Sequence, residues 1–212
     1  MLDKYLENEA AGYEKIKGAK LMFADQAGFG RISDPASCWA PPRYRPSVPC
    51  QIVRQYKTIY GAVCPEDGDA FYLVMQGSNK DNMSIFLKSL SQKYPDFIIL
   101  LVLDNASWHM TQQENSKRRS KSNTPSTVFK TDERLFIPDN IRIAYLPPRT
   151  PELNPIEVIW RVIRARGFKN ILFDTIADVV ANFLDVVSHM SNADVISITR
   201  WSWIDNILCD NF

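Results

Sequence analysis

The sequence has 212 residues, of which 45% are hydrophobic and 23% are charged, and its formal net charge is +1. These values are ordinary for a soluble globular domain. A domain of this size can bury a stable core without disulfide bonds or bound metal ions. A net charge this close to zero favours no class of partner. Any nucleic-acid-binding surface must therefore come from local clusters of basic residues.

The cysteines and the hydropathy of the chain argue against several classes of protein. Cys38, Cys50, Cys64 and Cys209 are irregularly spaced and include no C-x-x-C pair, which disfavours a zinc knuckle and a disulfide framework. The first 20 residues lack the apolar stretch of a signal peptide, and no run approaches the roughly 20 apolar residues of a membrane span. We therefore expect a soluble, intracellular protein without membrane contacts.

The chain begins with a polar stretch, residues 1–19, which we interpret as a lead-in segment. The apolar run KLMFAD at 20–25 predicts a strand that ends at Asp25. The following stretch, 26–49, contains five prolines. Because proline is incompatible with a long helix or a central strand, this stretch is predicted to be a loop.

The next elements are two strands, a helix and a third strand. Residues 51–63 and 70–76 are rich in β-branched and aromatic residues and predict a hairpin around the turn PEDGD. Apolar residues between 83 and 90 recur at helical spacing. The continuous apolar run FIILLVL at 97–103 is typical of a strand buried on both faces, and it ends at Asp104.

The second half of the chain starts with a polar, basic stretch, 112–134, which predicts a mobile insertion. Residues 140–146 predict a strand, and the proline-rich loop 147–155 leads into a predicted helix over 156–167. Apolar residues at helical spacing from 176 to 190 predict a further helix. The order of these elements indicates an α/β domain with a mixed sheet.

Three acids stand where α/β sheets form sites. Asp25 and Asp104 are each predicted to end a strand, and Glu157 lies in the first turn of a predicted helix. Taken singly, such acids are more often capping or turn residues. Carboxylates close to a buried strand need a compensating charge, which a hard divalent cation supplies. A set of acids alone suits Mg²⁺ or Mn²⁺ better than Zn²⁺.

Four motifs follow one another along the chain: FADQAGFGR, WAPPRYRP, LVLDNASWH and LPPRTPELNPIEVIW. Together and in this order they resemble the signatures of the mariner-like superfamily of DDE transposases, in its bacterial insertion-sequence branch. Two departures are visible: Gln26 stands where such families usually have Glu, and Asp104 is farther from Glu157 than is typical. The segment 112–134 accounts for the excess length, either as a DNA contact or as neutral drift in a decaying element.

The resemblance implies a ribonuclease H-like fold, with a mixed five-stranded sheet flanked by helices, over residues 20–190 and a C-terminal tail over 191–212. It also implies that Asp25, Asp104 and Glu157 are catalytic metal ligands for Mg²⁺ or Mn²⁺, with two ions bound. The implied function is the catalytic domain of a cut-and-paste DNA transposase, which cleaves and joins phosphodiester bonds at transposon ends.

Other residues are expected to support the three acids. Asn105 and His109 either orient a ligand or a phosphate, or simply cap and pack the next helix. Asn154 is predicted to cap the helix of Glu157 and so to fix the direction of that acid. Trp160 is predicted to be a core residue. A set of basic residues is predicted to contact DNA phosphates, with a solvated surface as the alternative; the set comprises Arg43, Arg45, Lys117, Arg118, Arg119, Arg149, Arg161 and Arg164.

The resemblance also implies partners and location. The active form is expected to be a homodimer on DNA, associated with the nucleoid in the cytoplasm. No helix-turn-helix is evident before Lys20, so end recognition is expected to involve a separately encoded helix-turn-helix protein. Two alternatives remain open: a truncated nucleic-acid-binding remnant that no longer transposes, and a cellular ribonuclease H-like nuclease.

Overall fold

The computed structural model describes residues 16–104 and 135–209, with side chains described up to 206. Residues 1–15 of the predicted lead-in segment and the whole predicted insertion 112–134 lie outside this part of the chain. The described residues form one mixed sheet whose strands are, in chain order, β1 (Gly18–Ile32), β2 (Ile52–Val63), β3 (Ala70–Met75), β4 (Phe97–Leu103) and β5 (Ile141–Tyr145).

The strands are arranged in the order β3-β2-β1-β4-β5. β1 pairs antiparallel with β2, and β2 pairs antiparallel with β3. On its other side, β1 pairs parallel with β4, and β4 pairs parallel with β5. This confirms the predicted hairpin and the mixed five-stranded sheet.

Helices cover both faces of the sheet. They are α1 (Lys80–Lys93), α2 (Ile156–Gly167), α3 (Ile176–Ser188), α4 (Asn192–Thr199) and α5 (Ser202–Cys209). α1 begins after Asn79, whose side chain accepts a hydrogen bond from the backbone N–H of Asn82. The bounds of α2 are those predicted from the sequence.

The core consists of two layers, one on each side of the sheet. Because side chains alternate along a strand, Phe23 and Phe29 of β1 point into the layer of α2 and α3, whereas Met22 points into the layer of α1. Trp160 and Phe86 are among the largest buried side chains of the two layers. With both faces covered, the uninterrupted apolar sequence of β4 is explained.

The prediction that the first strand ends at Asp25 is wrong. β1 has 15 residues and continues to Ile32, so Asp25 lies in its middle. Ala27 and Phe29 are buried and pair with Ile59 and Lys57 of β2, which shows that the stretch after Asp25 retains the period of a strand. The loop begins later than predicted, since the first proline after Asp25 is at position 35 and the residues before it can form a strand.

The C-terminal helices belong to the same core. Val195 of α4 and Ile204 of α5 are buried in the cluster that contains Trp160. The Trp203 ring meets the Phe23 ring edge-on, with centroids 5.9 Å apart. Within 16–104 and 135–209, no helix combines the length and the apolar character that a membrane span requires.

Candidate active site

Asp25 lies in β1 just beyond the part of the strand that pairs with β4. The last β1–β4 pair is Phe23 with Val102, so Asp25 and Asp104 each follow that pair by two residues on neighbouring parallel strands. Asp25 is half-buried, whereas Asp104 is exposed. Asp104 thus comes directly after the end of β4, as predicted.

The third acid, Glu157, occupies the first turn of α2 and is half-buried. One helical turn later, Trp160 is 1% exposed and its indole Nε1 donates a hydrogen bond to Oδ2 of Asp25 at 3.2 Å. Because residues three apart lie on the same face of a helix, α2 directs both Glu157 and Trp160 towards β1. The prediction that Trp160 is a core residue is confirmed, but its contact with Asp25 was not foreseen.

A glycine makes this contact possible. Gly61 of β2 is the register partner of Asp25. A Cβ atom at Gly61 would lie 2.5 Å from the Trp160 ring and 2.9 Å from Cδ1 of Ile156. The absence of a side chain therefore lets the start of α2 pack against the sheet beside Asp25. A glycine inside a strand, which often marks a close approach, was the available signal in the sequence.

The three acids interact electrostatically. Burial raises the pKa of Asp25 to about 7; a backbone hydrogen bond from Gln26 opposes this rise, and the negative charges of Glu157 and Asp104 add to it. Glu157 and Asp104 are therefore near enough to Asp25 for their charges to act on it. A carboxyl group with such a pKa is typical of a functional site.

The donor set fits a hard divalent cation, since all three predicted ligands are carboxylates. In the part of the chain that is described, no three Asp, Glu, His or Cys side chains are grouped closely enough to hold an ion as they stand. Because like charges repel one another, a cation would be needed to draw the carboxylates into a common shell.

Asn154 does not cap α2 as predicted. The N-cap position is Pro155, which has no side-chain hydrogen bond to the helix. A short 3-10 turn, Pro151–Leu153, precedes Asn154. The Asn154 side chain is buried, and its Nδ2 donates a hydrogen bond to the backbone oxygen of Ala24 at 3.2 Å. It therefore contacts the strand of Asp25 rather than the helix of Glu157.

The remaining predicted site residues fall into two groups. Asn105, His109, Lys117, Arg118 and Arg119 lie outside the described residues. Among the others, Arg43, Arg45, Arg149 and Arg161 are exposed.

Arg164 is half-buried and packs along β1. Its guanidinium lies 4.9 Å from the centroid of the Phe29 ring and donates a hydrogen bond to the backbone oxygen of Gly28 at 3.2 Å. Arg164 therefore has a role in packing α2 on the sheet that the sequence did not indicate.

The segment that carries Arg43 and Arg45 is fixed at its base. Asp34 pairs with Lys169 at 2.5 Å. The backbone N–H of Ala36 donates a hydrogen bond to Oδ1 of Asn170 at 2.8 Å. These contacts join the connection between β1 and β2 to the loop that follows α2.

This sheet order, with helices on both faces, is that of a ribonuclease H-like fold. Residues 20–180 match the family model described as DDE superfamily endonuclease. The chain belongs to this family. The resemblance to DDE transposases inferred from the sequence motifs is thereby confirmed.

The chain is also similar to a relative of known sequence and to solved structures. The chain is 32% identical over 125 residues to the uncharacterized protein y4pE/y4sA of Sinorhizobium fredii (strain NBRC 101917 / NGR234), covering 58% of this chain and 77% of that protein. The fold is similar to the Mos1 transposase paired-end complex with left transposon end, with a TM-score of 0.60, 10% identity and coverage of 93% of this chain and 55% of that chain.

A second Mos1 structure, the mariner paired end complex with Mn, is similar with a TM-score of 0.57 and 11% identity. It is matched over 93% of this chain and 56% of its own. The chain therefore spans about half the length of these solved structures, and the likeness at this identity concerns the fold.

Proposed function

We propose that the chain is the catalytic domain of a cut-and-paste DNA transposase that uses Mg²⁺ or Mn²⁺ to cleave and join phosphodiester bonds at transposon ends. The observation that carries this proposal is the placement of three acids: Asp25 and Asp104 lie two residues beyond the last β1–β4 pair, and Glu157 lies in the first turn of α2, whose Trp160 donates a hydrogen bond to Asp25. A fold that concentrates negative charge in this way favours binding of a divalent cation and, with it, phosphate oxygens.

In this proposal Asp25, Asp104 and Glu157 hold two ions. The bound ions would make a water molecule a better nucleophile at neutral pH and would stabilise the attacking and leaving oxygens. The Trp160 indole fixes the rotamer of Asp25 through its hydrogen bond to Oδ2. Water is the nucleophile in end cleavage, and the freed 3′-hydroxyl is the nucleophile in joining to target DNA.

DNA is the proposed partner. The Mos1 structure named above is a complex with a transposon end, and exposed basic residues of this chain supply phosphate contacts. Arg43, Arg45, Arg149 and Arg161 are exposed candidates, while Lys117, Arg118 and Arg119 stay predictions. A homodimer, a separately encoded helix-turn-helix partner and association with the nucleoid belong to the same proposal.

The test is cleavage of a labelled transposon-end duplex in Mg²⁺ or Mn²⁺, with the end-binding module supplied. Asp104→Asn should reduce cleavage about 10³-fold or more, because a lost metal contact costs several kcal/mol in the transition state. Asp174→Asn, at an exposed position before α3, is the matched control. Cleavage by Asp104→Asn at the parental rate would refute the assignment. A nuclease would cleave without giving joined products, and an inactive remnant would do neither.

A further inference from the structure

Asn154 connects two of the three acids of the site. Its Nδ2 donates to the backbone oxygen of Ala24, the residue before Asp25, at 3.2 Å. Its own backbone oxygen accepts a hydrogen bond from the N–H of Glu157 at 3.1 Å. One residue thus joins the strand that carries Asp25 to the helix start that carries Glu157.

The other half of the Asn154 amide lacks a partner. Since only the NH₂ group can donate to the Ala24 carbonyl, this hydrogen bond fixes which way the amide is turned. Oδ1 is then a buried acceptor without a donor among residues 16–104 and 135–209. Buried acceptors are almost always satisfied in folded proteins, so this atom calls for an explanation.

Asn140, at the other end of the sheet, shows what a purely structural amide looks like in this fold. Its Nδ2 donates to the backbone oxygens of Tyr94 and Phe97, each at 3.1 Å. Its Oδ1 accepts a hydrogen bond from Oγ of Ser91 at 2.6 Å. The fold therefore satisfies both halves of an amide at Asn140 but only one half at Asn154.

We propose that Asn154 is a positioning residue for the metal site, and that its Oδ1 accepts a hydrogen bond from a water molecule bound to the cation. This inference rests on the proposed metal binding by Asp25, Asp104 and Glu157. Mg²⁺ keeps several of its waters in protein sites, and such waters are donors. A phosphate oxygen of the DNA could not satisfy Oδ1, because it is itself an acceptor.

The test measures binding of Mn²⁺ alone to the full chain by titration calorimetry, together with urea unfolding in EDTA. Asn154→Ala should weaken Mn²⁺ binding about 10- to 100-fold, the range found when outer contacts of metal ligands are removed. Its loss of stability in EDTA should be smaller than that of Asn140→Ala, since it also removes an unsatisfied acceptor. Asn140→Ala should unfold more easily but keep the parental Mn²⁺ affinity.

A second variant separates the acceptor from the donor. Asn154→Asp retains an oxygen at the position of Oδ1 and should bind Mn²⁺ more tightly than Asn154→Ala does. Parental Mn²⁺ affinity in Asn154→Ala, or equal weakening in both variants, would overturn the role of Oδ1. If the parental chain itself does not bind Mn²⁺, the proposed metal site fails, and the inference about Asn154 fails with it.

Discussion

Charged side chains at the two ends of the paired region of β1 have opposite kinds of neighbours. Near its start, Lys20 is 6% exposed and its Nζ binds the carboxylates of Asp67 and Asp69, the latter at 2.7 Å. Burial alone would lower the pKa of Lys20, but the hydrogen bonds from Lys20 to the two acids raise it above its usual value. At Asp67, burial alone would raise the pKa of the carboxyl group. The hydrogen bond from Lys20 acts in the opposite direction, and the pKa of Asp67 is lowered overall.

At Asp25 burial raises the pKa to about 7, and the neighbouring like charges of Glu157 and Asp104 add to this rise. One strand therefore carries a cluster of opposite charges near its start and a cluster of like charges at Asp25. The first arrangement stabilises the turn between β2 and β3. The second raises the free energy of the charged, metal-free site and is what the proposed metal binding would require.

The largest expected effect is on catalysis at the acidic end. Asp25→Asn should reduce Mg²⁺-dependent cleavage about 10³-fold or more, because it removes a charged metal ligand but keeps the shape of the side chain. Single-turnover cleavage of the end duplex measures this loss. Glu66→Gln, an exposed change in the β2–β3 turn, should leave the rate unchanged; equal losses in both variants would contradict the assignment.

At the neutralised end the expected effect is on stability. Lys20→Met should lower the free energy of unfolding by about 2–4 kcal/mol, because it leaves two carboxylates without their partner; the figure is reduced for the partial exposure of Asp67 and Asp69. Urea unfolding monitored by circular dichroism tests this value. The control Lys17→Met breaks a pair whose lysine is 70% exposed and should cost less than about 1 kcal/mol.

The close packing beside Asp25 gives a third test. Gly61→Ala should destabilise the fold by about 1–3 kcal/mol, as overpacking does, and should slow cleavage because Trp160 must move away from Asp25. Gly28→Ala is a control in β1, since a Cβ atom there would meet nothing within 4 Å. Thermal unfolding and cleavage rates of the two variants should differ clearly; equal values would mean that the indole is not confined by Gly61.

The last expected effect is a pH dependence of the metal-free protein. The pKa of Asp25 is about 7 in the folded chain, whereas its ordinary value is 3.8. Between these two pH values the folded chain therefore keeps a proton on Asp25 that the unfolded chain has released. Stability should therefore fall as pH rises from about 4 to about 7. Relative to Asp25→Asn, the parental chain should lose roughly 1–3 kcal/mol over this window. A difference that does not vary with pH would contradict the raised pKa.

The sequence predicted most of the fold because its strands and helices have clear periods. The apolar run before Asp104 and the proline-rich loop before Glu157 placed both acids correctly. The errors occurred where local signals conflict with tertiary contacts. The prediction placed the end of β1 too early, at Asp25, because the rest of the strand is recognisable only from its pairing with β2. Asparagine is a common residue at helix N-caps, but the side chain of Asn154 forms a tertiary hydrogen bond with Ala24 instead.

The roles of Gly61 and Trp160 were missed for a related reason. Taken alone, Gly61 can be explained as a glycine that weakens a strand, and Trp160 can be explained as an aromatic residue of the core. Their joint role emerges from the register that puts Gly61 opposite Asp25 and from the helix that packs across this pair. Such a relation depends on which strands are neighbours, and single-chain periodicity does not specify that.

The central position of β1 has a consequence for how the enzyme is made. β1 pairs with β2, which follows it closely, and with β4, which is synthesised much later; Glu157 and Trp160 emerge from the ribosome later still. Contacts between distant segments form slowly. A nascent or proteolytically shortened chain that ends before α2 would therefore lack one ligand and the indole donor. On the proposed assignment of the metal ligands, such a chain could not assemble the site.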